Sequence, residues 1–161
     1  MGASDCVNEF MATRKAAAIC YRIGPDAEPE FLLVRNRAGS QWVFPKGSVE
    51  AWEPYGYLAA AREAWEEAGV RGRTDPRKLG SFRHLAKLKR SQEKVVQQID
   101  AYLLLVSDHA GTPEPGRNPT WFRATDAATA LAENARNLEL ALEACTMLAL
   151  ARERMSMQFL P

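Results

Sequence analysis

The chain has 161 residues, 47% of them apolar and 25% charged, with a net charge of +1. That is the length of one domain, residues 1–161, enough to bury about 70% of the unfolded surface. The near-neutral balance excludes a global field that would gather nucleic acid or a membrane surface. No apolar run approaches the roughly 18 residues of a membrane span. The first ten residues lack a basic start and an apolar core, so no signal peptide is expected. Cys6, Cys20 and Cys145 are far apart and odd in number. They fit neither a zinc pattern nor a disulfide framework, and point to a reducing cytoplasm.

In chain order, strand-like runs at 16–23 and 31–35 flank the turn cluster Gly24, Pro25 and Asp26, which predicts a hairpin. A short strand at 42–44 leads into Pro45. A helix is predicted from about Tyr57 to Ala68, with Gly69 as its stop. Runs at 79–88 and 95–106 predict a second antiparallel pair joined near Arg90, Ser91 and Gln92. Ile99, Ala101, Leu103 and Leu105 alternate with Asp100, Tyr102 and Leu104, so one face at least is buried. Trp121 and Phe122 make a last strand. Thr125 or Asp126 caps a short helix to about Glu133, and a longer helix covers roughly 137–154. Leu138, Ala141, Leu142, Cys145, Leu148 and Ala149 are its expected packing face.

The helix ending at Gly69 carries the chemistry. Glu63, Glu66 and Glu67 project at roughly 140°, 80° and 180° around its axis, taking Leu58 as zero. Leu58, Ala61, Ala64, Trp65 and Ala68 fill the opposite arc, so the acidic side is expected to face a cleft while the apolar side is buried. Clustered like charges repel, and a hard divalent cation with a preference for carboxylate oxygens would offset them. Solvated helical glutamates are the plainer alternative.

Residues 47–70 resemble the signature of the Nudix hydrolases, G-x5-E-x7-R-E-U-x-E-E-x-G-U, with U a bulky aliphatic. Gly47, Glu53, Arg62, Glu63, Glu66, Glu67, Gly69 and Val70 carry the match, and Ala64 stands where a larger aliphatic is usual. Eight residues rather than seven separate Glu53 from Arg62. The extra residue is expected in the turn at 54–57, where Pro54 and Gly56 allow a bulge, and it leaves the role of Glu53 open.

The resemblance implies an α+β fold, an α/β/α sandwich with a mixed sheet and a catalytic helix. It also implies metal-dependent hydrolysis of a diphosphate linkage by water attack on phosphorus, with Mg²⁺ or alternatively Mn²⁺ as cofactor. Glu63 and Glu67, with the Gly47 carbonyl, are the implied metal ligands. Glu66 is the implied general base, and an exchange of roles between Glu63 and Glu66 stays open. Arg62 is expected to orient a carboxylate.

Lys46, in Pro-Lys-Gly before the signature, looks like the dinucleoside polyphosphate and diphosphoinositol polyphosphate branches. It would meet a phosphate as a point charge, unless it is a solvated loop lysine. Arg83, His84, Lys87, Lys89, Arg90 and Lys94 stand against a single acid, Glu93. Arg83, Lys89 and Arg90 are candidate substrate contacts if this cluster lines the cleft. The alternative is a hairpin tip whose lysines blunt an edge strand.

Glu114, seven residues before Trp121, is a further candidate metal ligand, and Arg117 a further phosphate contact, unless the stretch is an ordinary loop. Trp42, Trp52 and Tyr55 could stack on a base or simply pack a core. The expected partner is a small polyphosphate, with neither membrane nor nucleic acid involved; since Nudix proteins often pair, a homodimer is an option. Other substrates within the family, namely ADP-ribose, a nucleoside triphosphate or capped RNA, are alternatives, as is a nucleotide sensor without turnover.

Overall fold

A computed structural model of the chain describes residues 14–88 and 90–158. Strand β1 (Lys15–Ile23) lies inside a mixed sheet. Its residues Ala16, Ala17, Ala18, Ile19 and Cys20 have no solvent exposure, as a continuous apolar run requires when both faces are covered. It pairs antiparallel with β2 (Pro29–Arg35), Tyr21 opposite Phe31. On its other side it runs parallel to β7 (Lys94–Asp108), from Lys15 opposite Ile99 to Tyr21 opposite Leu105.

The sheet extends from β2 to β3 (Trp42–Val43) and β8 (Thr120–Arg123), both antiparallel to it. The short β4 (Lys46–Ser48) pairs with the first residues of β1. Strands β5 (Arg71–Thr74) and β6 (Gly80–Lys87) both pair antiparallel with β7. Both predicted hairpins are present. The parallel pairing and the strands β4 and β5 are additions to the expectation: their sequences, Lys-Gly-Ser and Arg-Gly-Arg-Thr, have no apolar alternation to announce a strand.

Side chains along β1 alternate between two cores. Ala17, Ile19 and Tyr21 join Phe31, Leu33 and Leu103 under helices α2 (Ala124–Ala132) and α3 (Leu138–Gln158). Ala16, Ala18 and Cys20 join Leu32, Val34 and Leu104 under helix α1 (Gly56–Ala68). The result is the expected helix–sheet–helix sandwich. Each large apolar side chain so buried contributes about 1.5–3 kcal/mol.

Helix α1 meets the sheet through alanines. Ala59, Ala60, Ala64 and Ala68 are buried against a sheet face that includes Ala16 and Ala18. Such short side chains bring a helix close to its neighbour. Gly69 ends the helix at φ 68°, in the left-handed region that suits glycine, with its N–H donating to Trp65 O at 3.0 Å. No helix among the described residues is long and apolar enough to cross a membrane.

Three local expectations are corrected. Helix α2 begins at Ala124 after Arg123, with no side-chain cap; Asp126 sits instead in its first turn, where a negative charge favours the helix dipole. In α1 the arcs are not divided as expected, since Leu58 is exposed while Glu63 and Glu67 are buried. In α3 the packing face is rotated: Leu140, Met147, Leu148, Ala151 and Met155 are buried, whereas Leu138 and Leu142 are exposed. The helix carries apolar residues on two sides, and the sheet covers one of them.

This rotation has a direct test by denaturant unfolding. Leu148→Ala should cost about 2–4 kcal/mol, and Leu142→Ala less than about 1 kcal/mol. A larger loss at Leu142 would contradict the observed face.

Candidate active site

The site is built where β4 crosses the start of β1 and α1 packs above both. Opposed residues on paired strands share a face, and successive residues alternate. Ala16 lies opposite Gly47 and Ala17 opposite Lys46. Gly47 therefore faces the α1 side with Ala16, and the Lys46 side chain leaves on the opposite side with Ala17.

Glu63 fills the space that Gly47 leaves open. A Cβ on Gly47 would lie 2.0 Å from Glu63 Oε1, so no other residue fits there without moving the carboxylate. Glu67, one turn further along, accepts the Lys46 backbone N–H at 3.2 Å. Glu63 and Glu67 are 8% and 5% exposed. Burial, then repulsion from Glu67, raises the Glu63 carboxyl from 4.5 to about 7. Burial also raises Glu67, against the opposing pull of Lys46 and Arg117.

Two arginines secure this pair. Arg62 donates to Glu63 Oε1 at 2.9 Å and to Glu66 Oε2 at 3.1 Å. It also forks onto Glu53, at 2.9 and 3.1 Å, and reaches Ser48 O at 2.8 Å. Burial raises the Glu53 carboxyl, but the Arg62 hydrogen bonds and the Glu50 N–H outweigh it and leave Glu53 below the ordinary range. Arg62 is held correspondingly high, by its Glu53 hydrogen bonds first. Glu53, left open by the sequence, is thus the buried anchor of Arg62. Only Pro54 and Tyr55 separate Glu53 from the start of α1 at Gly56.

Arg117 is buried, 3.3 Å from Glu67 Oε1 and 2.9 Å from Glu114 Oε2. Its loop is tied to α1, since the Glu114 N–H donates to Glu66 O at 3.0 Å. Arg83 donates to Glu143 at 2.5 Å and lies 3.4 Å from Glu139, both on α3. Both guanidiniums are thus ion-paired with carboxylates. Arg90 is exposed at the β6–β7 turn, and Lys89 lies outside the described residues.

Beside the site, on the α2 and α3 side of the sheet, a groove of about 490 Å³ opens. Lys46, Arg83, Lys87 and Lys94 line it, joined by Arg37 and Arg136. No acidic residue is among the described residues lining it. Burial lowers Lys46 from 10.5 to about 8, though Glu67 pulls the other way. His84, also lining the groove, is pushed from 6.5 to about 3 by burial and then by Lys46, and so stays neutral. Arg37 and Arg136 had no sequence signal: neither belongs to a charge cluster, and only the fold brings them together. Trp42 lines the groove from a buried position, its ring 5.1 Å from Phe122.

Among the described residues, no three His, Cys, Asp or Glu side chains gather closely enough to hold a metal ion by themselves. Glu66, with a side chain 45% exposed, turns to Arg62. The pair Glu63 and Glu67 nonetheless suits a divalent cation. Two buried carboxylates remain hard to ionise even with Arg62 and Arg117 beside them, and the side-chain-free Gly47 backbone lies against one of them. A backbone oxygen and water would complete such a set.

The raised Glu63 pKa sets a sign for stability. A carboxyl that holds its proton more tightly when folded supports folding fully below 4.5, and that support is lost as pH rises through about 7. Metal-free Glu63→Gln should therefore melt several degrees above the parent protein at pH 8 and near it at pH 4. Excess Mg²⁺ should raise the parent and not the variant. A difference in melting temperature independent of pH would contradict the burial argument.

A family model described as the NUDIX domain matches residues 13–142. Diphosphoinositol polyphosphate phosphohydrolase 2 of Rattus norvegicus is 36% identical over 119 residues, 73% of this chain and 62% of that protein. The chain thus spans less than two thirds of that relative's length. The C. elegans Ap4A hydrolase superposes with a TM-score of 0.59 at 20% identity, over 91% of this chain and 98% of that one. The NUDIX domain of Shewanella oneidensis NrtR, solved with ADP ribose, gives 0.62 at 17% identity, over 96% and 99%. Those two likenesses speak for the fold alone. The match across most of the chain, together with the glutamate helix packed on its glycine, makes this chain a member of the NUDIX family.

Proposed function

We propose that the protein hydrolyses a diphosphate linkage in a polyphosphorylated small molecule, either a dinucleoside polyphosphate or a diphosphoinositol polyphosphate, with a divalent cation as cofactor. The observation that carries this reading is the acid-free basic groove beginning at Lys46, one residue from Gly47 and the buried Glu63–Glu67 pair. In a chain of net charge +1, such a local excess of cations favours a ligand with several phosphates. The named activity of the rat relative supports the same class.

Glu63 and Glu67, with the Gly47 carbonyl, would hold Mg²⁺ or Mn²⁺. Bound there, such an ion neutralises the diphosphate oxygens while charge builds on the leaving phosphate. Arg117 positions Glu67 and is itself positioned by Glu114. Arg62 fixes Glu63 and Glu66 against the Glu53 anchor. Glu66, the exposed carboxylate of the trio, takes the proton of the attacking water in this reading, the base's task in this chemistry. Lys46 meets a phosphate at the groove end nearest the reacting bond. Free Cys20 and Cys145 support a reducing cytoplasm as its setting.

A substrate panel with Mg²⁺ and Mn²⁺, read by product mass, tests the proposal. Diadenosine tetraphosphate or a diphosphoinositol polyphosphate should be cleaved, and a chelator should abolish the reaction. Glu66→Gln and Glu67→Gln should each lower kcat by about 10²–10⁴-fold while retaining the fold by circular dichroism. Unchanged activity in both variants would remove the site assignment. ADP-ribose outranking every polyphosphate by kcat/KM would remove the groove argument.

A further inference from the structure

We propose that the N-terminus of α1, with the Tyr102 hydroxyl and Arg14, forms an oxyanion site that takes a phosphate group, apart from the Glu63–Glu67 pair and the basic groove. The site stands whether or not the protein is a hydrolase.

Helix α1 starts without a cap. Its N-cap residue, Tyr55, is extended (φ −133°, ψ 142°) and makes no side-chain hydrogen bond to the first turn, which contains no acidic residue. The Leu58 N–H turns back to Tyr55 O at 3.2 Å. The N–H groups of Gly56 and Tyr57 have no acceptor among the described residues. Ser, Thr, Asp or Asn usually serves such groups from the N-cap position. Here the positive end of the helix dipole is left uncompensated.

Tyr102 meets this helix end from strand β7. It is only 8% exposed. A Cβ on Gly56 would lie 2.5 Å from its hydroxyl oxygen, so a glycine is what lets the hydroxyl sit against the first turn. The hydroxyl makes no hydrogen bond among the described residues. Every buried side-chain polar atom sealed from the surface among them has a partner. The partnerless hydroxyl therefore opens to the cavity that Tyr102 lines. Burial, then Asp100, raises its pKa against an opposing pull from Arg14, so it keeps its proton and can donate.

That cavity, about 540 Å³ and open to solvent, is bounded by residues 54–57, Arg14, Pro76 and Tyr102. No acidic residue is among the described residues lining it. Asp100, two residues from Tyr102, accepts the Ser81 hydroxyl at 2.7 Å and lies 3.8 Å from Lys78. Arg14 is exposed and has no ion pair among the described residues.

Backbone N–H groups, a hydroxyl and a guanidinium, with no carboxylate among them, select an anion with several acceptor oxygens and reject a metal ion. Gly56 precedes Glu63 by seven residues, about 10 Å along the helix axis, so a phosphate here stands clear of the buried acids. Negative charge at this end steadies the helix that carries both glutamates.

Titration of the metal-free full chain with inorganic phosphate, followed by amide NMR shifts, tests the site; phenyl phosphate serves as the esterified counterpart. The Gly56 and Tyr57 signals should move to saturation. Tyr102→Phe and Arg14→Gln should each weaken binding about tenfold, while Arg136→Ala, in the basic groove, should change it less than about twofold. Tyr55→Asp, which supplies a carboxylate to the helix end, should raise the melting temperature without phosphate and abolish the shifts. Tighter binding of phenyl phosphate would assign the site to a phosphoester, and tighter binding of inorganic phosphate to the free ion. Gly56 and Tyr57 signals that do not respond to either probe would overturn the proposal. So would unchanged affinity in both Tyr102→Phe and Arg14→Gln with the fold retained by circular dichroism, or phosphate binding undiminished in Tyr55→Asp.

Discussion

Glu63 can be buried as it is because residue 47 has no side chain. The carboxylate occupies the volume a Cβ would need, 2.0 Å from where that atom would stand, so strand β4 and helix α1 share one close contact. Two features of the sequence permit that approach. The alanine face of α1 lies on a sheet face that includes Ala16 and Ala18, and Gly47 removes the last obstacle. A side chain at position 47 would displace the Glu63 carboxylate from its place against the β4 backbone.

From this contact the rest of the site follows by strand geometry. Because Gly47 points toward α1, Lys46 must point the other way, into the groove bounded by β6, α2 and α3. One dipeptide thus joins two environments: buried acids on one face of the sheet and clustered cations on the other. The two are coupled, since Lys46 and Glu67 each favour the other's charged form. Arg62 is fixed by the deeply held Glu53 and Arg117 by Glu114, so each buried glutamate has a partner whose own position is secured. The remaining electrostatic deficit, visible in the raised Glu63 and Glu67 carboxyls, is what a divalent ion would relieve.

Much of this was legible in the residues. The turn cluster at 24–26 marked the first hairpin, alternation along 99–105 supported the second, and Gly69 marked the end of α1, because these signals are local. The glutamate spacing and its flanking Arg62 pointed to the same helix. What stayed hidden depended on distant packing. Strand β4 forms through backbone pairing with β1, and Lys-Gly-Ser advertises nothing of it. The burial of Glu63 and Glu67 runs against the rule that acids face water, and the rule fails here because α1 lies so near the sheet. Glu53 looked displaced by the extra residue, yet its carboxylate lies against Arg62. In α3, with apolar stripes on two sides, only the position of the sheet decides that Leu148 is covered and Leu142 is not. The pairing of Arg83 with Glu143 was hidden because the two stand 60 positions apart.

The account stands on Glu63, Glu67 and the Gly47 backbone acting together as one cation site. A crystal grown with Mn²⁺ and measured for anomalous scattering addresses this most directly. The account predicts a manganese peak within about 2.3 Å of oxygen atoms from both carboxylates, with the Gly47 carbonyl turned toward it. Manganese bound elsewhere, with Glu63 and Glu67 contacting only Arg62 and Arg117, would contradict it.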